Sequence, residues 1–266
     1  MKIGIVGCAG RMGRLLVAEV LASPGCELAG GTERAASTVL GQDVAVLGGG
    51  EASGVLVTDD ARALFTAADV IVDFTVPAAT VFHAGLAAET GTAMVIGTTG
   101  LGAEHQVAID ALAGKAAVVQ AANMSVGVNL LLGLTAQVAR VLGPEFDIEI
   151  VEMHHRHKVD APSGTALALG QAAAAGRGVT LDDVAQRVRD GHTGARRQGD
   201  IGFATLRGGD VVGDHTVMFA GEGEQLALTH KATSRAVLAR GAIRAARWVA
   251  GRAPGLYSMR DVLGLD

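Results

Sequence analysis

The sequence predicts a two-domain α/β protein, in which a doubly wound parallel sheet precedes an α+β domain built on a mixed or antiparallel sheet. Three observations predict this fold class. From Lys2 to about Ala121, short apolar runs alternate with segments of helical period; a glycine-rich turn follows the first run; and after about Val126, strand patterns follow one another with short turns between them. A chain of 266 residues is long enough for two domains, each with its own core.

Six apolar runs in the first part of the chain have the length and composition of strands buried on both faces. They are residues 2–7, 27–32, 55–57, 70–74, 93–96 and 117–121. Segments of helical period lie between several of them, at residues 11–22, 60–66, 78–90 and 103–114. Buried strands separated by crossover helices form a parallel sheet with helices on both faces.

The pattern changes after a long predicted helix at residues 126–142. A strand at 147–153 and a helix opening at Ser163 come next. Three strands then follow with glycine turns between them, at 201–207, at 211 or 215 to 220, and at 225–232. Successive strands joined by short turns are expected to be antiparallel. A last helix, 234–249, is predicted to be capped by Ser234 and to return the chain to the first domain.

These patterns predict the domain boundaries. Residues 1–125 together with 235–266 are expected to form the parallel-sheet domain, and residues 126–234 the second, α+β domain.

Composition and charge argue against several kinds of partner. The net charge is -5 and aromatic residues make up only 3% of the chain, so no nucleic-acid partner is expected. No stretch approaches the roughly 20 uninterrupted apolar residues of a membrane span, so no membrane is expected either. Met1 leads straight into a strand pattern without an apolar leader, and Cys8 and Cys26 form no disulfide framework. The expected compartment is the cytoplasm.

The turn after the first strand is typical of a Rossmann-like domain. Its sequence is Gly7-Cys8-Ala9-Gly10-Arg11-Met12-Gly13, and a predicted helix begins within it. Glycines permit a tight turn and let backbone N–H groups approach a pyrophosphate, which lies at the positive end of the helix dipole. Because strand, turn and helix agree, dinucleotide binding is favoured over a turn that merely packs.

The residues after the second strand bear on the choice of dinucleotide. Glu33 lies twenty residues beyond Gly13, where a carboxylate accepts hydrogen bonds from the adenosine ribose. The neighbouring Arg34, and also Arg11, could hold the 2′-phosphate of NADP. The pair Glu33 and Arg34 therefore predicts use of both NADH and NADPH, unless Arg34 is an ordinary exposed charge.

Two further turns are expected at the carboxyl edge of the parallel sheet, where ligands of open α/β folds bind. One is Gly97-Thr98-Thr99-Gly100 and the other is Ala122-Asn123-Met124-Ser125. Either turn could line a nicotinamide ribose and carboxamide.

The densest polar segment runs from Glu152 to Thr165 and contains three of the chain's 8 histidines. Clustered imidazoles beside Lys158 suit a site that moves protons near neutral pH while binding an anion. A helix opening at Ser163-Gly164-Thr165 would offer free backbone N–H groups as a carboxylate cradle. The spacing of His154, His155 and His157 lacks the remaining ligands of a zinc site, so no metal is expected. Ser163 lacks the surroundings of a nucleophilic serine.

The chain resembles the dihydrodipicolinate reductases, also called 4-hydroxy-tetrahydrodipicolinate reductases, over nearly its whole length. The most specific segment is His154-His155-Arg156-His157-Lys158-Val159-Asp160-Ala161-Pro162-Ser163-Gly164-Thr165. The resemblance is further supported by the glycine turn and by Val72-Asp73-Phe74-Thr75, Gly97-Thr98-Thr99, Asn123-Met124-Ser125, Arg207-Gly208-Gly209-Asp210 and Thr229-His230-Lys231-Ala232. The resemblance implies a Rossmann-like cofactor domain, a central substrate and tetramerisation domain, and a place in diaminopimelate and lysine biosynthesis.

The resemblance also implies the reaction and the residues that serve it. NADPH or NADH would reduce a cyclic imine dicarboxylate, 4-hydroxy-tetrahydrodipicolinate, which loses water and receives hydride at C4. His154 and Lys158 would serve proton transfer, and which of them supplies the proton stays open. His155, Ser163, Gly164 and Thr165 would hold the substrate. The implied cofactor contacts are Gly7, Cys8, Ala9, Gly10, Arg11, Met12, Glu33, Arg34, Gly97, Thr98, Thr99, Ala121, Ala122, Asn123 and Met124.

Two positions depart from the family pattern, and two other functions stay open. Met124 stands where relatives often carry an aromatic residue, which puts stacking on the nicotinamide ring in doubt, and Ala195 replaces an often acidic residue. The alternatives are a two-domain reductase of another imino acid or aldehyde, and a dinucleotide-binding sensor without catalytic activity.

Overall fold

The computed structural model describes residues 1–265 and divides into two compact units, residues 1–126 with 235–265 and residues 127–234. The first unit holds a seven-stranded parallel sheet with the order β12-β6-β5-β4-β1-β2-β3. Its strands are β1 (Lys2–Val6), β2 (Glu27–Thr32), β3 (Val57–Thr58), β4 (Val70–Asp73), β5 (Ala93–Ile96), β6 (Ala117–Gln120) and β12 (Gly255–Tyr257). The predicted parallel sheet is confirmed, and β12 is a seventh strand that the sequence patterns missed.

The helices of the first unit follow their strands in the order that a doubly wound sheet requires. They are α1 (Arg11–Ala22), α2 (Val44–Leu47), α3 (Ala61–Ala67), α4 (Pro77–Thr90), α5 (Ala103–Ala113), α9 (Ala236–Val249) and α10 (Met259–Leu263). Helix α9 packs on α1 and against β4, β5 and β6. It begins at Ala236 with Arg235 in the N-cap position, one residue beyond the predicted cap at Ser234.

Two hydrophobic clusters cover the two faces of this sheet, as expected for strands buried on both sides. Ile3 and Ile5 of β1 contribute to one cluster together with α1 and α9, while Val6 and Ile71 contribute to the other together with α3, α4 and α5. At Gly48, an added Cβ would lie 2.6 Å from the Val17 side chain, so this glycine lets the chain after α2 pass close to α1. This packing fixes the carboxyl ends of the strands along one edge.

The second unit combines a five-stranded sheet with the order β11-β10-β7-β9-β8 and helices on one face. The elements in chain order are α6 (Val126–Leu142), a short 3₁₀ turn (Gly143–Glu145), β7 (Asp147–His154), α7 (Gly164–Arg177), α8 (Leu181–Val184), β8 (Ala185–Gln186), β9 (Ile201–Arg207), β10 (Gly213–Gly221) and β11 (Glu224–Ala232). Alternate residues of β7 are buried, which places Ile148 and Ile150 in the core with Leu169 of α7.

The predicted antiparallel order of the last three strands is only partly right. Strands β10 and β11 form the expected hairpin, but β9 does not pair with β10. Instead β9 pairs parallel with one edge of β7, and β10 pairs antiparallel with the other. The turn after β9 crosses the end of β7, where Gly208 donates to the His154 carbonyl at 3.0 Å. The sheet is therefore mixed.

The stretch Val126–Glu145 has a mean hydropathy of 1.4 and is long enough to cross a membrane. Among the described residues it alone meets these two criteria, and 28% of it is buried in the protein. This is a weak indication, because core helices of globular proteins meet the same criteria.

Candidate active site

The predicted cofactor residues of the first unit lie at the carboxyl ends of its parallel strands. Gly7 follows β1, Glu33 follows β2, Gly97 follows β5 and Ala121 follows β6. Gly97 donates to the Asp73 carbonyl at 2.8 Å, and Ala121 donates to the Ile96 carbonyl at 3.1 Å, so these turns continue the pairing of the strands. The structure therefore brings the four predicted segments to one edge of one sheet.

The glycine turn has the close backbone approach that its sequence predicts. Gly7 adopts a φ of 67°, and a Cβ on Gly13 would overlap the Gly7 carbonyl oxygen. Gly10 is the N-cap residue of α1 and has no side chain to occupy the amides of the first turn. These amides and the helix dipole fit an anionic diphosphate, so the residues present suit a dinucleotide.

Glu33 is bound to the glycine turn. Its Oε1 accepts a hydrogen bond from the Ala9 N–H at 2.9 Å. Glu33 and Arg34 line a cavity of about 500 Å³ together with Gly7, Thr75 and His83. A cavity of this volume is within the range that binds small ligands.

Two predicted cofactor residues offer only their backbone. The side chains of Cys8 and Met124 are fully buried in the core, and burial raises the pKa of the Cys8 thiol to about 12, so the thiol is unreactive. Gly241 of α9 lies so close to the Met124 carbonyl that a Cβ there would overlap it. The core position of Met124 therefore gives no surface on which a nicotinamide ring could stack.

In the second unit, Glu152 is the centre of a buried polar network. Its side chain is 1% exposed and accepts from His154 Nδ1 at 2.5 Å and from the two terminal nitrogens of Arg207 at 2.8 and 3.0 Å. Burial opposes its ionisation, but the hydrogen bonds from Arg207 and His154 outweigh it and hold the pKa of this carboxyl below its usual range. An ionised carboxylate only accepts, so the Nδ1 of His154 carries its proton and Nε2 is left for proton exchange.

The same carboxylate fixes the start of helix α7. Glu152 Oε1 accepts from the Ser163 N–H at 3.0 Å, and the Ser163 hydroxyl caps α7 by accepting from the Ala166 N–H at 3.2 Å. His215 of β10 contacts the same hydroxyl through Nε2 at 3.2 Å. Gly164 and Thr165 form the first turn, whose N–H groups point away from the helix body.

His215 is a buried, neutral imidazole. Desolvation and the neighbouring His154 lower its pKa from 6.5 to about 4. Its ring lies edge-on to the His154 ring, with 5.1 Å between centroids. Protonation of His215 is thereby disfavoured.

Lys158 and His155 lie in the loop between β7 and α7. The Lys158 ammonium donates to Asp160 Oδ1 at 2.8 Å, which holds the pKa of the Asp160 carboxyl below its usual range. His155 lies beside His157, with 6.3 Å between ring centroids. Val159, between Lys158 and Asp160, is 98% exposed, so this loop extends into solvent.

Three partners of this site were not predicted as site residues. Arg207 entered only within a segment that supports the family resemblance, His215 only as a possible start of a strand, and Glu152 only as the first residue of the polar segment. The alternation of β7 was a usable signal, since it places Glu152 and His154 on the same buried face as Ile148 and Ile150. Among residues 1–265 there is no group of three or more His, Cys, Asp or Glu side chains placed to hold a metal ion.

The fold and the two sites define a class: a two-domain, nicotinamide-dinucleotide-dependent oxidoreductase of Rossmann type. Two family models match the chain, "Dihydrodipicolinate reductase, N-terminus" over residues 1–124 and "Dihydrodipicolinate reductase, C-terminus" over residues 127–263. The chain belongs to the dihydrodipicolinate reductase family.

Individual relatives agree with the family models. The chain is 56% identical to the 4-hydroxy-tetrahydrodipicolinate reductase of Ruegeria pomeroyi over 263 residues, covering 99% of this chain and 98% of the relative. It is 55% identical to the enzyme of the same name from Parvibaculum lavamentivorans over 267 residues, covering 100% and 98%. A dipicolinate-bound dihydrodipicolinate reductase from Paenisporosarcina sp. TG-14 is similar in structure, with a TM-score of 0.77, 25% identity and 97% coverage of both chains.

Proposed function

We propose that this chain catalyses the NADPH- or NADH-dependent reduction of 4-hydroxy-tetrahydrodipicolinate to tetrahydrodipicolinate, with loss of water, in diaminopimelate and lysine biosynthesis. The observation that carries the proposal is the match of both halves of the chain to the reductase family. The proton-transfer cluster of the second unit gives that match a chemical basis, because a sensor without catalytic activity leaves such a cluster without a task.

The first unit binds the dinucleotide in this proposal, and the bound cofactor supplies hydride. The amides after Gly10 hold the diphosphate, and Glu33 meets the adenosine ribose through the carboxylate oxygen that does not bind Ala9. Arg34 offers a guanidinium to the 2′-phosphate of NADPH. Arg11 and Met12 in the first turn of α1 are further candidate contacts, as are Thr98, Thr99, Ala122 and Asn123 in the turns after β5 and β6.

The second unit binds the dicarboxylate. Gly164 and Thr165 present first-turn amides at the positive end of the 14-residue helix α7, and the Ser163 hydroxyl lies beside them. His155 and the Lys158 ammonium provide the second anion contact that a substrate with two carboxylates requires. Dipicolinate, bound in the Paenisporosarcina relative, is a planar dicarboxylate of the same kind.

Proton transfer falls to His154 or Lys158. Hydride addition to the conjugated imine leaves an enamine, whose carbon must take up a proton. His154 offers a proton at Nε2 when its ring is charged, and Glu152 stabilises that charge through Nδ1. Lys158, held by Asp160, offers both a proton and a positive charge beside the developing electron density.

Oxidation of NADPH, followed at its near-ultraviolet absorbance with and without the cyclic imine, tests the proposal. We expect a loss of absorbance that depends on the imine. No imine-dependent loss, with the dinucleotide still bound, would favour the sensor. Equal rates with monocarboxylate analogues would favour a reductase of another imino acid or aldehyde.

The proposal extends to assembly and compartment. We infer a homotetramer in the cytoplasm, as the family resemblance implies. Support comes from the face of the second sheet opposite α7, where Val151, Met153, Leu206 and Met218 are partly or largely exposed. A sheet face with such apolar side chains suits burial against another copy of the chain.

A further inference from the structure

A buried carboxylate hydrogen-bonded to a histidine lies beneath the carboxyl edge of the first sheet, and the proposed function uses neither residue. Asp73, the last residue of β4, is fully buried. His83 is the seventh residue of α4, is 8% exposed, and contacts Asp73 Oδ2 through Nδ1 at 2.9 Å. Burial of a charged side chain is costly in free energy unless hydrogen bonds or an opposite charge compensate for the lost water. The compensating contacts of Asp73 therefore indicate what this carboxylate holds in place.

The second oxygen of Asp73 is fully used. Oδ1 accepts from the Thr75 N–H at 2.9 Å, from the Thr75 hydroxyl at 2.6 Å and from the Thr98 hydroxyl at 3.2 Å. Burial opposes ionisation, but the hydrogen bonds from His83 and Thr75 outweigh it and hold the pKa of the Asp73 carboxyl below its usual range. One carboxylate thus binds the turn after β4 and the turn after β5.

Both turns belong to the edge where the dinucleotide is proposed to bind. Thr75 packs on the glycine turn, since a Cβ on Gly7 would lie 2.8 Å from Thr75 Cγ2. Thr75 and His83 line the same cavity of about 500 Å³ as Glu33 and Arg34. Thr98 lies in the turn after β5 and accepts hydrogen bonds from the Thr80 hydroxyl at 2.9 Å and the Thr75 N–H at 3.1 Å.

The His83 ring is held by aromatic neighbours. Its centroid lies 5.9 Å from that of Phe65, with the rings stacked, and 5.7 Å from that of Phe82. Phe65 is fully buried and anchors the ring to the core, whereas Phe82 is 59% exposed at the cavity. The His83 ring therefore contacts two aromatic side chains as well as Asp73.

We propose that Asp73 and His83 are positioning residues, which hold the turns after β4 and β5 against the glycine turn in the arrangement that binds the dinucleotide. This inference rests on the proposed function for the identity of the ligand. It is distinct from general stabilisation, because a pair that only stabilises the fold would change the fraction of folded protein and not the affinity of each folded molecule.

The test is a fluorescence titration with NADPH that yields both the dissociation constant and the number of sites. In His83→Leu the Nδ1 contact is lost, and we expect the dissociation constant to rise about tenfold with an unchanged number of sites, the effect of one charge-assisted hydrogen bond. In His83→Asn the side-chain amide can replace the Nδ1 donor, so the dissociation constant should return to within about threefold of the wild-type value. His192→Leu, at an exposed position of the second unit, is the control for loss of a histidine and should bind NADPH like wild type.

The turnover number at saturating NADPH should stay within about twofold of wild type in the folded His83 variants, because the loss is in binding. Thr75→Val, nearly isosteric, removes the hydroxyl that donates to Asp73 Oδ1 at 2.6 Å and keeps the Thr75 N–H donor. It should weaken NADPH binding about threefold, which keeps a readout if His83→Leu does not fold. An unchanged dissociation constant in Thr75→Val, or an unchanged constant with fewer sites in His83→Leu, would overturn the positioning role. If wild type binds NADPH but the imine causes no oxidation, the proposed function fails while the titration still decides this inference.

Discussion

Glu152 shows how one buried residue can set the chemistry of two others. Each of its oxygens accepts two hydrogen bonds: Oε2 from His154 and Arg207, and Oε1 from Arg207 and Ser163. The first set fixes the tautomer of a proton-transfer residue, and the second fixes the start of the helix proposed to bind the substrate. A glutamine here would keep the shape, lose the charge and place an NH2 donor where one oxygen now accepts two hydrogen bonds.

Glu152→Gln is therefore expected to lower kcat/KM for the imine by about 10- to 100-fold, because the imidazolium of His154 loses its counter-charge. Steady-state NADPH oxidation measures the effect. Glu224→Gln, on the exposed edge strand β11, is the control and should behave like wild type. Equal kcat/KM in Glu152→Gln and wild type would show that the network has no part in the reaction.

Arg34 bears on the choice between NADH and NADPH. Glu33 already binds the glycine turn through one oxygen, so its carboxylate stays at the ribose position with either cofactor. We expect wild type to use both cofactors with kcat/KM values within about tenfold of each other, and Arg34→Ala to lose about tenfold with NADPH alone. Paired steady-state measurements decide this, and an overwhelming bias of wild type toward one cofactor contradicts it.

At the scale of elements, strand β10 contributes a titration that affects stability. His215 is held neutral by burial beside His154, with a folded-state pKa of about 4 against 6.5 when unfolded. Because the folded value is lowered, the contribution of this residue is fully present above pH 6.5 and is lost as the pH falls toward 4. Between pH 6.5 and 4 this residue contributes at most about 3 kcal/mol to the free energy of unfolding.

We therefore expect the melting temperature of wild type to fall between pH 6.5 and 4.5 more steeply than that of His215→Gln, which has no group to protonate there. Differential scanning calorimetry at several pH values measures it. Parallel slopes for the two proteins would show that His215 does not titrate as its environment predicts. Carboxylates, including those of Asp73 and Glu152 whose pKa values are held below their usual range, protonate at more acidic pH, so the comparison is confined to this window.

The spans of the elements were largely predictable, whereas their pairing was not. Helix 126–142 and the strands at 27–32, 93–96 and 201–207 match the sequence predictions, because strong periodicity and clear turn residues mark both ends. Strand β9 was expected beside β10, but β7 separates them. Local sequence determines that the chain turns after β9. It does not determine which strand of the sheet the next strand pairs with.

The site residues likewise include some that the sequence indicated and others that only the folded structure brings together. The glycine turn and the segment from His154 to Thr165 are contiguous, so sequence alone indicated them. Arg207 and His215 join that segment only through the pairing of β9 and β10 with β7. Asp73 and His83 likewise meet because α4 packs on the sheet, and a spacing of ten residues gave no signal of a contact.

At the scale of the whole molecule, the proposed self-association involves the exposed face of the second sheet. We expect Met218→Glu to reduce the proposed homotetramer to smaller species, because the added charge would have to be buried where copies of the chain are proposed to meet. Light scattering after size-exclusion chromatography measures the mass. Val107→Glu, 70% exposed on α5 of the other unit, is the control. A wild-type mass for Met218→Glu would mean that copies assemble through another surface.

The most direct test of the account is the Lys158→Ala variant, with turnover and NADPH affinity measured on the same preparation. Because the lysine belongs to the unit proposed to bind substrate, we expect kcat to fall by at least about 100-fold while the dissociation constant for NADPH stays within twofold of wild type. Lys231→Ala, an exposed lysine of β11 in the same unit, is the matched control and should be unaffected. Wild-type turnover in Lys158→Ala would contradict the assignment of proton transfer and dicarboxylate binding to this cluster.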